Sequence, residues 1–179
     1  MANHVDNFLK VTGNHACMAE FNRIFAPLAR DSEGLENARF LPEWDGEDYP
    51  SPDWMYDHIG AKWAYVEYTT DFEGDDDSAV ITSAWSSIFS FTKYLARHLE
   101  DFDPKVRIEL TYMDEFINFA GAAVWSNGYW DVEEQDHKYF EQEWLAQGGL
   151  NFDHEDYDQM EYYGMVQDII TGWAQEYYF

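Results

Sequence analysis

The chain has 179 residues, of which 36 are Asp or Glu and only 10 are Lys or Arg, so its formal net charge is −26. Apolar residues make up 46% and aromatic residues 19%, which excludes a disordered polyacidic chain, and a lone cysteine excludes an internal disulfide. We expect one folded cytoplasmic protein with no membrane role, because the apolar runs are short, no signal-peptide pattern opens the chain, and anionic lipids repel such a surface.

The negative charge is concentrated in two blocks. Residues 31–77 hold fifteen Asp and Glu against Arg39 and Lys62, and residues 131–179 hold thirteen against Lys138. The other stretches nearly balance, which argues against a general adaptation to salt, since a solvating shell would be spread evenly. We interpret the two blocks as surfaces that attract positively charged partners.

The first half of the chain shows a strand and helix pattern typical of an α+β fold. Asn14 caps the first predicted helix, which carries Cys17 on its apolar face. A strand over 5–12 precedes this helix, and an acidic insertion over 31–60, with one helical turn near 52–58, follows it. A hairpin is predicted next, over 63–85. The last two elements are a helix capped by Ser86 or Ser87 and closed by Asp103 and Pro104, and a strand over 106–112. The order β-α-β-β-α-β predicts a ferredoxin-like core.

The second half is predicted to add a C-terminal hairpin and two helices. Asn127-Gly128 is a tight-turn signal between strands over 117–125 and 129–132. Helices are predicted over 135–147, where Gly148 and Gly149 follow, and over about 157–177. We therefore divide the chain into a ferredoxin-like domain over 1–133 and an acidic helical extension over 134–179 packed on the same domain.

Four segments carry a family resemblance, in order along residues 3–130. They are Asn7 to Gly13 (NFLKVTG), Gly60 to Trp63 (GAKW), Thr82 to Ser86 (TSAWS), and Tyr112 followed by Asn118 to Gly121 (NFAG). They resemble the YubB-type ferredoxin-like domain family of plasmid and phage proteins, although Ser87 and Ile88 replace the prolines that the family has at that point. The resemblance implies the fold and a mobile-element setting. It supplies no catalytic residues, and residues 131–179 have no counterpart in it.

Catalytic and metal-binding motifs are absent from the sequence. The six histidines show no metal-ligand spacing. The run from Asp71 to Asp77 is similar to a calcium loop, but Thr82 stands where the bidentate Glu is needed and Asp76 where glycine is needed, so we interpret it as a solvated hairpin tip. We expect no metal, no cofactor and no catalytic residues.

Aromatic residues on a ferredoxin-like sheet can stack nucleic-acid bases. Here nucleic-acid binding is disfavoured, because affinity for phosphates rests on Lys and Arg, which the acidic blocks lack. We interpret the four aromatic residues of the hairpin as sheet packing; they are Trp63, Tyr65, Tyr68 and Trp85.

The acidic residues of the last two helices favour mimicry of DNA. Ordinary helix surfaces pair Glu with Lys, whereas residues 131–179 contain Lys138 alone. We expect a phage or mobile-element protein that is not an enzyme. It would bind no nucleic acid directly. It would inhibit a host defence or nucleic-acid-handling protein by occupying the basic nucleic-acid-binding site of that protein. Anti-restriction and anti-CRISPR proteins act in this way. The predicted contact residues are Glu43, Asp45, Glu47, Asp48, Asp71, Glu73, Asp75, Asp76, Asp77, Asp131, Glu133, Glu134, Asp136, Asp153, Glu155, Asp156, Asp158 and Glu161.

Two other function classes fit the same residues. A structural or assembly protein would self-associate, as a homodimer for example, through the aromatic C-terminus Tyr177-Tyr178-Phe179. A small divalent-cation-dependent enzyme would use converging carboxylates, with 71–77 as one place for the cation. Both acidic blocks qualify as the contact surface on sequence grounds.

Overall fold

A computed structural model describes residues 3–44, 48–71 and 76–176, which form an α+β fold with a six-stranded antiparallel sheet and five α-helices. The strands are β1 (His4–Thr12), β2 (Ala64–Asp71), β3 (Asp76–Ala84), β4 (Arg107–Asp114), β5 (Phe119–Ser126) and β6 (Tyr129–Asp136). The helices are α1 (His15–Asp31), α2 (Pro52–His58), α3 (Phe89–Glu100), α4 (His137–Ala146) and α5 (Gln159–Glu176). Within these ranges, no helix combines the length and apolar character that a membrane crossing needs.

The strands lie in the order β2-β3-β1-β4-β5-β6. Strand β1 is central and pairs antiparallel with both β3 and β4, Phe8 lying opposite Val80 on one side and Thr111 on the other. The hairpin β5–β6 extends the sheet beyond β4, and Trp125 pairs with Trp130 next to its turn.

Helices cover the two faces of the sheet unequally, because alternate side chains of a strand point to opposite faces. Leu110 and Ala123 enter the main core with α1 and α3, whereas Ala120 packs against α4 and α5, and Val124 packs against α5. Helices α4 and α5 therefore lie across the sheet from α1 and α3. They cover β4 and β5 and leave the same face of β1, β3 and β2 largely open.

A buried hydrogen-bond network joins β1, β3 and the start of α3. The Asn7 side-chain amide donates to the carbonyls of Val5 (2.9 Å) and Ile81 (3.1 Å) and to Ser83 Oγ (2.9 Å), and its Oδ1 accepts from the amide of Ile88 (3.1 Å). The Ser83 hydroxyl in turn donates to the carbonyl of Ser86 (2.7 Å). Every hydrogen-bonding atom of the Asn7 amide is thus used to fix the strand-to-helix connection.

Several predicted boundaries differ from the structure. Neither Ser86 nor Ser87 caps α3, which begins at Phe89 with no side-chain cap, because the Ser86 hydroxyl donates to the carbonyl of Gly60 instead. Helix α3 also ends at Glu100, ahead of the predicted stop. The predicted cap of α1 is confirmed, since Asn14 Oδ1 accepts from the amides of Ala16 and Cys17.

Strand β6 is longer than the sequence predicted. It continues to Asp136, through residues assigned to a helix from 135, because Phe119 to Ser126 of β5 offer partners along its whole length. The interpretation of the hairpin aromatics as sheet packing is wrong for Tyr68 and Trp85, which are 54% and 49% exposed. Tyr65 is 40% exposed but packs against the Trp63 ring, with the ring centres 5.8 Å apart. Trp85 instead lies beneath the Lys62 ammonium, 4.8 Å from the ring centre.

Replacing Asn7 with alanine tests the buried network. Asn7→Ala leaves the Ile88 amide and two strand carbonyls without that partner, and we expect the free energy of unfolding to fall by about 3 kcal/mol. Gln142→Ala, at an exposed position of α4, should change it by less than about 0.5 kcal/mol. Urea denaturation measures both, and equal effects of the two substitutions would contradict the role given to Asn7.

Helices α1 and α3 are also joined by a buried carboxylate. Glu20 accepts two hydrogen bonds from Arg23, both at 2.7 Å, and lies 2.6 Å from His98 Nε2. The hydrogen bonds from Arg23, together with His98, hold the pKa of the Glu20 carboxyl below its ordinary value.

A lowered pKa makes this contribution to stability depend on pH in one direction. It is fully present above the ordinary pKa of a glutamate and is lost as the pH falls through the lowered one. We therefore expect Glu20→Gln to destabilise the protein clearly at pH 7 and progressively less towards pH 3, measured as the difference in unfolding free energy from the unsubstituted protein. The same comparison with Glu33→Gln, at an exposed position, should show no such trend.

Candidate protein-interaction surface

Basic side chains are distributed unequally between the two helical layers. Helix α1 carries Arg23 and Arg30 and helix α3 carries Lys93 and Arg97, whereas residues 131–176 on the other side contain one basic residue, Lys138. The layer formed by α4 and α5 is therefore strongly negative. Exposed carboxylates also lie on the α1–α3 side, where Asp31 pairs with Arg30.

Helix α5 is fixed to the sheet near both ends. The hydroxyl of Tyr163 donates to the carbonyl of Glu115 (2.5 Å), after the end of β4, and Arg107 of β4 donates to the carbonyl of Ala174 (2.7 Å). A guanidinium at a helix C-terminus also offsets the negative end of the helix dipole. Between these contacts, Val166 and Ile170 are buried among the aromatic residues of α4.

The loop between α4 and α5 is held by aromatic packing. The indole of Trp144 donates to the carbonyl of Leu150 (2.7 Å), and Gly149 lies so close to the Trp144 ring that a Cβ there would collide with it. Farther along, the ring of Phe152 lies 5.0 Å from those of Tyr157 and Tyr162. Residues 147–158 are thus anchored to the helices at three points.

This anchored loop and the start of α5 carry a group of exposed carboxylates that we call the C-terminal acidic surface. Asp158 is also the cap of α5, because its Oδ1 accepts from the amides of Met160 (2.8 Å) and Glu161 (3.4 Å). The members of the surface, all exposed, are Asp153, Glu155, Asp156, Asp158 and Glu161. These five of the predicted contact residues are already close together in the sequence, between 153 and 161.

The predicted contact residues of β6 are divided between the two faces of the sheet. Asp131 and Glu133 lie opposite Val124 and Ala122 and so share the face that α5 covers. Glu134 is on the other face, where it accepts a hydrogen bond from the Tyr112 hydroxyl (2.7 Å).

The remaining acidic residue of β6 has a structural role. Asp136 caps α4, since its Oδ1 accepts from the amides of Lys138 (3.1 Å) and Tyr139 (3.2 Å).

The space for the Tyr112–Glu134 contact comes from Gly121, where a Cβ would lie 2.6 Å from the Tyr112 hydroxyl. Burial and the Glu134 contact both raise the pKa of Tyr112.

The other predicted residues are scattered. Glu43 and Asp48 are exposed in the long connection before α2, away from the C-terminal acidic surface in sequence. Asp77 is buried and accepts a hydrogen bond from the Asn22 amide (2.8 Å), so its carboxylate contributes to folding and is not presented to a partner. Asp45, Glu47, Glu73 and Asp75 lie outside the described residues, as do the side chains of Asp71 and Asp76 and the aromatic C-terminus 177–179.

The open face of β1, β3 and β2 forms a second candidate site. Two adjoining cavities of about 470 and 380 Å³ lie beside α5 and share Phe8, Thr111 and Gln167. The first is also lined by Asp6 and Glu67, and burial, with Glu67 and Glu115 adding, raises the pKa of the Asp6 carboxyl. Among the described residues, no group of three or more His, Cys, Asp or Glu is placed to hold a metal ion.

Comparison with known proteins gives no relative from which a role could be transferred. No protein-family model, curated protein or solved structure shows a significant match to the chain. The assignment of function therefore rests on the residues themselves.

Two substitutions at Asp158 separate its capping role from its charge. Asp158→Asn keeps an oxygen that can cap α5, so stability should change by less than about 0.5 kcal/mol, whereas Asp158→Ala should lose about 1 kcal/mol. Asp153→Ala, in the same loop, should behave like Asp158→Asn. Thermal unfolding measures all three, and equal losses for the two Asp158 variants would show that the side chain does not cap the helix.

Proposed function

We propose that the C-terminal acidic surface binds the basic nucleic-acid-binding site of another protein and so acts as a mimic of DNA. The target would be a host defence or nucleic-acid-handling protein, and the chain would act in the host cytoplasm as a binding protein and not as an enzyme. The observation that carries the proposal is the anchoring of exposed carboxylates on a packed aromatic support.

Rigidity matters because a mimic of a polynucleotide must hold like charges close together before its partner arrives. Double-stranded DNA presents one charge per about 1.7 Å of axis. Asp158, the cap of α5, precedes Glu161 of the first turn by three residues, a spacing that within a helix places Cβ atoms about 5–6 Å apart. A flexible acidic tail would have to lose conformational entropy to reach the same arrangement, whereas an anchored loop has lost it on folding.

The scarcity of basic residues in the α4–α5 layer favours this side as the contact. A basic cleft would be steered towards it, because residues 131–176 contain Lys138 alone, whereas α1 and α3 carry Arg23, Arg30, Lys93 and Arg97. Such steering accelerates association and weakens steeply as salt is added. The buried aromatic residues beneath the carboxylates supply the rigid apolar support on which these charges stand.

We further infer that β1 to β4 with α1 and α3 form a ferredoxin-like core of the YubB type, which favours a phage or other mobile element as the source. The strand order β2-β3-β1-β4 with all-antiparallel pairing supports this inference. The Asn7 network supports it as well, because it uses residues of three of the segments that carry the resemblance. On this view the β5–β6 hairpin, α4 and α5 are additions to the core.

Displacement by DNA tests the proposal. A partner captured by the immobilised protein at low salt should be released by double-stranded DNA as well as by high salt, because mimic and DNA compete for one site. Neutralising three carboxylates in Asp153→Asn/Glu155→Gln/Asp156→Asn should weaken capture about tenfold or more.

The matched control removes the same three charges elsewhere on the surface. Glu33→Gln/Asp57→Asn/Asp101→Asn changes exposed residues outside the C-terminal acidic surface and should leave capture within about twofold of the unsubstituted protein. Capture that DNA does not displace, or equal losses in the two triple variants, would contradict the proposal.

A further inference from the structure

Strand β6 forms one edge of the sheet, and the side turned away from β5 pairs with no other strand that the structure describes. The strand is 8 residues long and pairs with β5 in one unbroken register. It contains neither proline nor lysine, which commonly protect the edges of natural sheets. A row of backbone N–H and C=O groups is therefore open to a further strand.

The opposite edge of the sheet is protected. Strand β2 has a bulge between Val66 and Tyr68, which interrupts its regular edge. Tyr65, which already pairs with Thr82 of β3, also forms a bridge to Gly34, so the connection after α1 covers part of the outer side of β2. The two edges of the sheet thus differ, and β6 is the one suited to accept another strand.

The turn before β6 determines which backbone groups point outwards. Asn127 and Gly128 have φ values of 52° and 85°, as a two-residue type I′ turn requires, so the residues that flank the turn form a hydrogen-bonded pair. Hydrogen-bonded and non-hydrogen-bonded pairs alternate along an antiparallel ladder. The backbone groups of Trp130, Val132 and Glu134 therefore point away from β5.

The side chains that border this edge differ between the two faces of the sheet. On the face shared with α5 lie the carboxylates of Asp131 and Glu133. On the other face, Val132 is 46% exposed and lies between Trp130 and Glu134. Cross-strand neighbours share a face, so an added strand in which basic and apolar side chains alternate would match both faces.

The charge of β6 argues against a second copy of the chain as the occupant. The strand sequence YWDVEEQD contains four carboxylates and no basic residue. Like charges opposite each other destabilise a strand pair, and two copies joined through this edge would bring their carboxylates together. A strand that carries Lys or Arg would instead be attracted by the same groups.

We propose that the β6 edge binds an extended segment of a partner protein in which basic and apolar residues alternate. The backbone of the segment pairs with the outward N–H and C=O groups of β6, and its Lys or Arg side chains meet Asp131 and Glu133. In strand addition, backbone pairing supplies affinity and alternate side chains supply specificity. The inference goes beyond the proposed function, because it assigns a second contact that recognises a strand and lies apart from the C-terminal acidic surface.

Titration of the purified protein with a blocked heptapeptide of alternating Arg and Val tests the edge directly. We expect the amides of Trp130, Val132 and Glu134 to become protected from hydrogen exchange, measured by NMR at physiological salt. A peptide of the same composition, with four Arg followed by three Val, should need at least tenfold higher concentration to protect them. Equal protection by the two peptides, or protection confined to other residues, would overturn the proposal.

Methylation of the peptide backbone separates strand pairing from attraction between charges. Only alternate amides of an added strand face β6, so methylating the Val amides and methylating the Arg amides remove different sets of donors. We expect one of the two methylated peptides to bind at least tenfold more weakly and the other to bind within about threefold of the unmethylated peptide. Similar binding of both would show that the peptide does not pair with the edge.

Two variants of β6 remove the backbone donor and the charges separately. Val132→Pro deletes an outward N–H and no hydrogen bond to β5, and we expect at least tenfold weaker binding, whereas Val132→Thr keeps the amide and should bind within about threefold. Asp131→Asn/Glu133→Gln leaves the backbone intact and should weaken binding about tenfold. Asp57→Asn/Asp101→Asn, at exposed positions elsewhere, should not. Unchanged binding in both β6 variants would overturn the proposal.

A variant of the C-terminal acidic surface shows which site holds the peptide. Asp153→Asn/Glu155→Gln/Asp156→Asn leaves β6 intact and should bind the alternating peptide within about threefold of the unsubstituted protein, because exposed charges are screened at physiological salt. A loss as large as that of the β6 charge variant would assign the peptide to the C-terminal acidic surface and overturn the strand-edge site.

Discussion

The double coverage of β5 is the constraint on which the rest of the structure depends. Six consecutive residues of this strand, 120–125, are buried, some against the α1–α3 layer and some against α4 and α5. Small side chains make this possible, since Ala120, Gly121, Ala122 and Ala123 let layers approach the sheet from both sides. The contact on the α5 side, together with the hydrogen bonds of α5 to Arg107 and Glu115, supports α5 and the loop before it and so fixes the arrangement of the acidic residues.

Fixing those residues has an electrostatic cost that aromatic packing offsets. Residues 131–179 carry a net charge of −12, and self-repulsion of this kind opposes compaction. Aromatic rings in the α4–α5 layer, among them Phe140, Trp144 and Tyr162, offset this repulsion by burying large apolar areas. Asp136 and Asp158 add to the stability of the layer by capping helix N-termini. An anion at a helix N-terminus is favourable, so part of the negative charge stabilises the fold that carries it.

Local patterns in the sequence predicted most elements of this fold, because β1, α1 and the hairpins have regular spacing and clear turn residues. The cap of α1 by Asn14 was predicted, whereas the start of α3 was not, because the Ser86 hydroxyl bonds to Gly60 from a distant part of the chain. The burial of Asp77 was not predicted from the sequence either, because its partner Asn22 lies on α1, far away in the chain. The acidic loop was predicted as a contact surface from its composition. The open edge of β6 was not, because a sequence pattern indicates that a segment is a strand but not which neighbours it has in the sheet.

The open face of β1, β3 and β2 combines exposed aromatic residues with carboxylates. Exposed aromatic residues on such a sheet, here Phe8 and Tyr68, are the groups on which nucleic-acid bases can stack. The same groove is lined by Asp6 and Glu67, and the raised pKa of Asp6 shows that its carboxyl is already disfavoured as an anion by burial and by neighbouring carboxylates. A phosphate brought to this face would be repelled by these carboxylates, an effect that Lys10 in the adjoining cavity offsets in part. This repulsion supports the proposal that the protein's contact is with a basic protein and not with nucleic acid.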